Sequence, residues 1–217
     1  MTPAAAYLPP ADHGLDIIFR DDTLLVLNKP AGLLAVPGRG VDKQDSLLTR
    51  AQAQFPDVLA VHRLDMATSG LMVFARGAEM HSHLSRLFRE RAVQKNYIAV
   101  VTGNLKPSDG EIALPLSANW PNRPRQQVNQ ATGKPSLTHY QVLTYDAVTD
   151  SSRVRLEPIT GRTHQLRVHL AAIGHPIIGD ALYNGRSATR MFLHASSLRF
   201  AHPLGGELLA LRTEPTF

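Results

Sequence analysis

An isolated carboxylate within a short polar run is the first candidate for chemistry in this sequence of 217 residues. The run occupies positions 62–71, reads HRLDMATSGL, and places Asp65 two residues after Arg63. The apolar segment 71–75 follows and predicts a β-strand. A loop that leads into a strand can hold a side chain at the edge of a sheet while its head faces a cleft. An aspartate there can serve as a nucleophile in glycosyl chemistry. The alternative is an aspartate that only caps a turn.

A second polar run lies in the C-terminal half of the chain. Positions 158–170 read PITGRTHQLRVHL and include His164 and Arg167. Thr163 is predicted to cap a helix that has one apolar face and ends at Gly174. Arg167 lies at the border of that face, so its guanidinium can project into a cleft and lower the pKa of a nearby carboxyl group. An ordinary surface arginine is the alternative.

These two runs, together with the tripeptide KNY at 95–97, resemble the signature motifs of the RluA-type pseudouridine synthases. The three motifs occur in the family's order, and the resemblance extends over nearly the whole chain. It implies that Asp65 is the catalytic residue and that Arg167 pairs with it. It also implies that Tyr97 stacks on the target base, where its hydroxyl can carry a proton late in the reaction.

Pseudouridine formation makes limited demands on a protein. The N1–C1′ bond of uridine breaks, the base turns, and C1′ is joined to C5. Because the reaction is an isomerisation, it needs no metal, redox cofactor or energy source, and we expect no cofactor. It needs a carboxylate against the sugar or the base and a pocket that retains the detached uracil. The sequence leaves open whether the carboxylate attacks C1′, adds to C6 or assists glycal formation.

Motifs for other chemistries are missing or incomplete. The segment 38–40 reads GRG without the third glycine of a dinucleotide fold, and there is no Walker A loop, HEXXH or GXSXG sequence. Cysteine is absent, which excludes disulfides, thiolate zinc sites and uracil-modifying enzymes that attack the base with Cys. The ten histidines have no Cys or paired carboxylates at ligand spacing, so no metal site is predicted.

The composition is that of a globular protein with a basic excess. Lys and Arg number 23 against 18 Asp and Glu, for a net charge of +5 and a pI near 9.8. This balance suits a polyanion such as RNA, although many unrelated proteins share it. The sequence has neither a signal peptide nor an apolar run long enough to span a membrane, so the predicted location is cytoplasmic.

Basic and polar side chains near the three motifs and around the single Trp are predicted RNA contacts. The resemblance implies that Arg63 assists in flipping the target uridine out of folded RNA. For the helix predicted at 79–91, a solvated basic face is the alternative. The predicted contacts are His62, Arg63, Arg86, Arg89, Arg91, Lys95, Arg123, Arg125, Arg162 and His164.

The predicted fold class is α/β of the α+β type. Strands and helices alternate without a regular βαβ repeat, which indicates a mixed, mostly antiparallel sheet with flanking helices and a central active-site cleft. Helices are predicted at 46–55 and 79–91, the first capped by Asp45 or Ser46. We expect a single catalytic domain at 15–217, a disordered or loosely packed segment at 1–14, and no S4-type RNA-binding domain.

The segments 36–39 and 120–124 look closest to the dual-specificity branch of the family, which modifies a tRNA anticodon loop and a 23S rRNA stem-loop. Structured RNA is therefore the expected partner of a protein that acts as a monomer without an obligate protein partner. The main alternative is a non-catalytic RNA-binding protein on the same scaffold. A glycosidase-type hydrolase is a third hypothesis, but it would need a second acidic residue beside Asp65.

Overall fold

The computed structural model describes residues 7–217. Three α-helices are present in this part of the chain, α1 (Leu47–Gln54), α2 (Gly77–Arg89) and α3 (Gln165–Ala172), together with short 3-10 turns at Val41–Lys43 and Trp120–Asn122. The strands are β1 (Ile17–Arg20), β2 (Leu24–Lys29), β3 (Val58–Ala60), β4 (Ser69–Arg76), β5 (Gln94–Thr102), β6 (Asp109–Ile112), β7 (Leu116–Ala118), β8 (Gln126–Val128), β9 (Thr138–Asp146), β10 (Ser151–Pro158), β11 (Leu193–Ala201) and β12 (Leu208–Arg212).

Ten of these strands form one continuous sheet. Its central order is β1-β2-β4-β11-β5-β10-β9-β6, with β3 added to β4 and β12 to β11. Among the described pairs in this sheet, only β4 and β11 run parallel, and the separate hairpin β7–β8 is antiparallel. The predicted mixed, mostly antiparallel sheet is therefore confirmed.

The seam between β4 and β11 requires a glycine. Gly70 has a φ of 112°, and a Cβ atom at this position would lie 2.3 Å from the carbonyl oxygen of Ala195. Any side chain at residue 70 would therefore separate the two strands. Because β4 begins at Ser69, this close approach also fixes the end of the loop that carries Asp65.

Apolar side chains from both faces of the sheet form the core. Strand β4 is buried from Ser69 to Ala75, and its alternating residues join two different clusters, with Leu71 and Val73 in one and Met72 and Phe74 in the other. A third cluster unites β5, β10 and α3. Strand β4 thus has a packed layer on each side, which explains its continuous apolar sequence.

The first two helices begin and end close to the predicted positions. At the start of α1, the Ser46 hydroxyl accepts a hydrogen bond from the Thr49 amide, and the Thr49 hydroxyl accepts one from the Ser46 amide. This capping box confirms Ser46 as the N-cap. No helix within residues 7–217 is both long and apolar enough to cross a membrane.

Of the segment predicted to be loosely packed, residues 1–6 lie outside the described residues. Residues 7–14 contain no helix or strand, but two side chains fasten them to the domain. The Tyr7 hydroxyl donates to the carbonyl oxygen of Asp45 and accepts from the Leu34 amide, while the Arg50 guanidinium donates to the carbonyl of Pro10.

Candidate active site

The two polar runs identified in the sequence meet in one open cleft of about 570 Å³. One wall is the loop 62–68 that precedes β4, and the opposite wall is the segment 158–167, which joins β10 to α3. Tyr97 on β5 forms part of the lining. Residues far apart in the sequence are therefore brought together by the middle of the sheet.

A carboxylate–guanidinium contact lies at the centre of this cleft. Arg167 Nη1 is 3.2 Å from Asp65 Oδ2, and the Asp65 side chain is 23% exposed, whereas that of Arg167 is only 6% exposed. The contact joins the loop before β4 to the first turns of α3. It leaves Asp65 Oδ1 facing the cleft without a hydrogen bond from the described residues.

A second carboxylate fixes the other side of the same guanidinium. Asp180 Oδ2 accepts from Arg167 Nε at 2.7 Å and Oδ1 accepts from Nη2 at 2.8 Å, and the Asp180 side chain is fully buried. Burial opposes the charge on Arg167, but the hydrogen bonds and the negative charge of Asp180, followed by those of Asp65, raise the pKa of the guanidinium. Arg167 is therefore a fixed cation between a partly exposed and a buried anion.

Asp180 was not predicted from the sequence, and it is a second acidic residue near Asp65, as the glycosidase hypothesis requires. Only one guanidinium separates the two carboxylates. However, Asp180 is buried and bound at both oxygens, so it cannot protonate a leaving group or activate water as the second acid of a glycosidase does. Its position after Ile177, Ile178 and Gly179 carries no local signal for this contact.

Lys29 is a second residue whose role was not predicted from the sequence. Its side chain is fully buried, and its Nζ donates to the carbonyl oxygens of Pro30, Leu33 and Met66. Burial lowers the pKa of Lys29 to about 7, the charge of Asp65 opposes this shift, and that of Arg190 adds to it. Because Met66 follows Asp65 directly, Lys29 ties the Asp65 loop to the end of β2.

Tyr97 faces the cleft from the middle of the sheet, where it pairs with Leu156 on β10 and Ala195 on β11. Burial, and after it the negative charge of Asp65, raises the pKa of the Tyr97 hydroxyl. The phenol is therefore protonated at neutral pH and can donate a hydrogen bond. A rigid aromatic ring beside Asp65 can also stack on a base.

His164 contributes a ring to the same cleft. Its Nε2 is 3.8 Å from Asp65 Oδ1, and its Nδ1 is 2.7 Å from the Tyr183 hydroxyl. The backbone at His164 is left-handed, with a φ of 53°, and its side chain makes no capping hydrogen bond to α3. The prediction that Thr163 caps this helix was wrong, because His164 intervenes before the first helical residue.

The predicted RNA contacts fall into two groups. Cationic side chains that line the cleft are Arg63, Arg89, Arg91, Lys95 and Arg162. The exposed residues Arg86, Arg123 and Arg125 lie outside its lining. Trp120 is 65% exposed, and the guanidinium of Arg123 lies 4.2 Å from the centre of its ring. The hairpin β7–β8 therefore presents a separate basic and aromatic surface.

His62, another predicted RNA contact, acts mainly as a packing residue. Its ring stacks on Phe88 with 4.3 Å between the ring centres, and its Nε2 accepts a hydrogen bond from the Val73 amide. Burial, assisted by the charge of Lys95, lowers the pKa of His62 to about 3. The ring is therefore neutral at physiological pH and offers no charge to a phosphate.

Within residues 7–217, no group of three or more His, Asp or Glu side chains is arranged to hold a metal ion. The polar groups of the cleft are instead a carboxylate, its paired guanidinium, a phenol and an imidazole, surrounded by cations. This arrangement can bind a polyanion and present one carboxylate oxygen to it.

Comparisons with known proteins agree with this geometry. The family model described as RNA pseudouridylate synthase matches residues 23–172. The dual-specificity RNA pseudouridine synthase RluA of Escherichia coli (strain K12) is 46% identical, with 97% of this chain and 98% of that protein covered. The protein of the same name from Vibrio parahaemolyticus is 50% identical, with 91% and 82% covered. The solved structure of human RNA Pseudouridylate Synthase Domain Containing 1 has a TM-score of 0.80 and 33% identity, with 97% and 87% covered.

Proposed function

The chain belongs to the RNA pseudouridylate synthase family and is an RNA pseudouridine synthase, and we propose that Asp65 is its catalytic carboxylate, with uridines in rRNA and tRNA loops as substrates. The observation that carries the assignment is the 3.2 Å contact between Asp65 and Arg167. A fixed guanidinium favours the ionised form of a neighbouring carboxylate and restricts its rotamer. An RNA-binding protein without activity would need neither group in this arrangement.

Asp65 acts as the nucleophile, and its free Oδ1 is the atom that faces the cleft. Attack at C1′ would release the uracil from its N1 bond, and addition at C6 would allow the same bond to break with the base held by the protein. In either route the base turns, C1′ is joined to C5, and the C5 hydrogen leaves as a proton while N1 gains one. Tyr97 stacks on the base during this rotation, and its protonated hydroxyl can donate the proton that N1 gains, while the C5 proton is released to solvent.

RNA is bound by the five cations around the cleft, and the target uridine is extruded into it. Arg63 stands beside the Asp65 loop and is exposed, so its planar head can stack on the bases that the flipped uridine leaves behind. Arg89, Arg91, Lys95 and Arg162 contact the phosphates next to the target. The proposed chemistry uses groups of one chain, and we propose a monomer that acts without an obligate protein partner.

Both a tRNA anticodon loop and a 23S rRNA stem-loop are modified, and this activity is cytoplasmic. The relatives from Escherichia coli and Vibrio parahaemolyticus, which are named dual-specificity RNA pseudouridine synthases, support this substrate range. Most sequence-specific RNA recognition reads unpaired bases in loops, so one cleft can accept two RNAs that share a loop sequence.

Single-turnover rates on three short RNAs test the substrate proposal. The first is an anticodon stem-loop, the second is an rRNA stem-loop with the same loop sequence, and the third carries a scrambled loop on the first stem. The first two should react at similar rates and the third should not react. Equal rates on all three would contradict loop recognition, and activity on only one of the natural stem-loops would contradict dual specificity.

A further inference from the structure

The Tyr183 hydroxyl lies between the hairpin β7–β8 and the cleft. Its oxygen is 2.8 Å from the backbone nitrogen of Gln126 on β8 and 2.7 Å from His164 Nδ1. An amide N–H can only donate, so the Tyr183 oxygen accepts the hydrogen bond from Gln126. Among residues 7–217, the remaining partner within hydrogen-bond distance of the hydroxyl is His164 Nδ1, to which the phenol can donate its proton.

This direction of the hydrogen bond determines where His164 carries its own proton. A neutral imidazole has one N–H and one acceptor nitrogen, and the tautomer follows from the partner of each. If Nδ1 accepts from Tyr183, the proton is on Nε2. Burial raises the pKa of Tyr183, so the hydroxyl keeps the proton that it donates.

His164 Nε2 faces the oxygen of Asp65 that Arg167 leaves free. The distance from Nε2 to Oδ1 is 3.8 Å, which is beyond a hydrogen bond but within the range of a strong electrostatic contact. An N–H at this place attracts the carboxylate oxygen, whereas the lone pair of the other tautomer would repel it.

The imidazole is held in its neutral form by its surroundings. Burial lowers the pKa of His164, the charge of Asp65 opposes this shift, and the charges of Arg167 and Arg63 lower the pKa while that of Asp180 raises it. The ring also meets Tyr183 edge-on, with 5.6 Å between the ring centres. His164 is thus a polar donor of fixed orientation and not a second cation beside Arg167.

We propose that Tyr183 is a positioning residue, which keeps the proton of His164 on Nε2 so that a hydrogen-bond donor faces Asp65 Oδ1. The inference rests on the proposed catalytic role of Asp65 and adds a second group that orients it. Because Gln126 belongs to the hairpin that carries Arg123 and Arg125, the tautomer also depends on this hairpin being in place.

Nitrogen NMR of the histidine side chains tests the tautomer without any measurement of activity. In the wild-type protein without RNA, His164 should show an unprotonated Nδ1 and a protonated Nε2, and the signals are assigned by their loss in His164→Gln. In Tyr183→Phe the two nitrogen shifts should move toward each other as the tautomers mix. A protonated Nδ1 in the wild type, or unchanged shifts in Tyr183→Phe, would overturn the proposal.

Kinetics in two backgrounds separate the hydroxyl from the ring. Tyr183→Phe keeps the ring, whose centre lies 5.1 Å from the guanidinium carbon of Arg167, and removes only the hydroxyl. We expect the single-turnover rate to fall about tenfold, the effect of one hydrogen bond in the transition state, without a change in RNA affinity. The side-chain amide of Gln donates hydrogen bonds and has no tautomers, so His164→Gln removes the property that Tyr183 is proposed to control. The double variant His164→Gln/Tyr183→Phe should therefore react within about twofold of the rate of His164→Gln alone.

Tyr145→Phe is the matched control, because its hydroxyl also donates to a side chain, Asp150, but lies outside the cleft. Its rate should equal that of the wild type. A tenfold loss from Tyr183→Phe in both backgrounds would show that the hydroxyl acts through packing and would refute the proposal. The NMR result does not depend on whether Asp65 is catalytic, so an active Asp65→Asn variant would refute the proposed function and leave the tautomer test valid.

Discussion

Asp180 binds Arg167 through two hydrogen bonds, of 2.7 Å to Nε and 2.8 Å to Nη2, and so directs the remaining nitrogen, Nη1, toward Asp65. The position of the partly exposed Asp65 carboxylate thus depends on the buried Asp180 carboxylate, with which it has no contact. A guanidinium has a planar fork of donors, and this geometry allows it to be fixed on one side while it acts on the other.

Asp180→Asn should therefore impair both folding and catalysis. Loss of one charge from a buried pair leaves Arg167 partly uncompensated and should lower the free energy of unfolding by about 3 kcal/mol. The single-turnover rate should fall by more than about tenfold, since a misplaced Arg167 no longer fixes Asp65. Urea denaturation and rapid-quench kinetics measure the two effects, with the exposed Asp22→Asn as control. Wild-type stability and rate in Asp180→Asn would show that Asp180 does not position Arg167.

Tyr97→Phe should separate stacking from proton transfer. The ring remains, so RNA affinity should stay within about twofold of the wild type, while loss of the hydroxyl should slow turnover at least about tenfold. Filter-binding and single-turnover assays on the same stem-loop provide both values. If the two proteins react equally fast, Tyr97 contributes only its ring.

Removing cations from the cleft should weaken RNA binding more than removing them elsewhere on the same helix. Arg89→Gln should lower affinity and reduce the slope of log K against log salt by up to about one, because one phosphate contact is lost. Arg86→Gln, outside the cleft lining, should have a smaller effect, and Arg199→Gln on β11 is the remote control. Equal losses for Arg86 and Arg89 would mean that RNA contacts the helix outside the cleft.

Acid should destabilise the protein in part through His62. Its pKa falls from 6.5 to about 3 on folding, so between these values the unfolded state binds one more proton than the folded state. The contribution of the neutral, buried His62 ring to the free energy of unfolding is therefore complete above pH 6.5. It is lost as the pH falls toward 3. His62→Gln should reduce the slope of unfolding free energy against pH in this range by up to about 1.4 kcal/mol per pH unit.

Phe88→Leu is the control for this pH dependence. It removes the ring that stacks on His62 without adding or removing a titrating group at that position, so it should lower stability without abolishing the slope. An unchanged slope in His62→Gln would assign the acid sensitivity to other groups.

The local elements of the fold were largely predictable from the sequence because each has a local cause. The apolar segment 71–75 predicted strand β4, and Ser46, a favoured N-cap residue, marked the start of α1. The antiparallel character followed from the absence of a regular βαβ repeat. The parallel β4–β11 seam could not be predicted, since it joins residues more than a hundred positions apart through the close approach at Gly70.

In the site, the side chains that line the cleft were predictable from the sequence, whereas the buried side chains that support them were not. Asp65, Tyr97 and Arg167 stood out by their motifs, but Asp180 and Lys29 have no local signal for the contacts that they make. Their roles arise from burial, which brings a carboxylate to Arg167 and three carbonyl oxygens to one ammonium. Such contacts depend on the path of the chain in three dimensions and not on residue type or spacing.

The central claim is that Asp65 supplies the reacting carboxylate, and Asp65→Asn tests it most directly. Asn keeps the size of the side chain but has no nucleophilic oxygen anion, and Arg167 remains bound to Asp180. The measurement is release of tritium from C5 of uridine in a short stem-loop, since the C5 hydrogen leaves as pseudouridine forms. We predict no release above the protein-free control, with RNA affinity within about tenfold of the wild type, equivalent to roughly 1.4 kcal/mol. Release by Asp65→Asn near the wild-type rate would contradict the account.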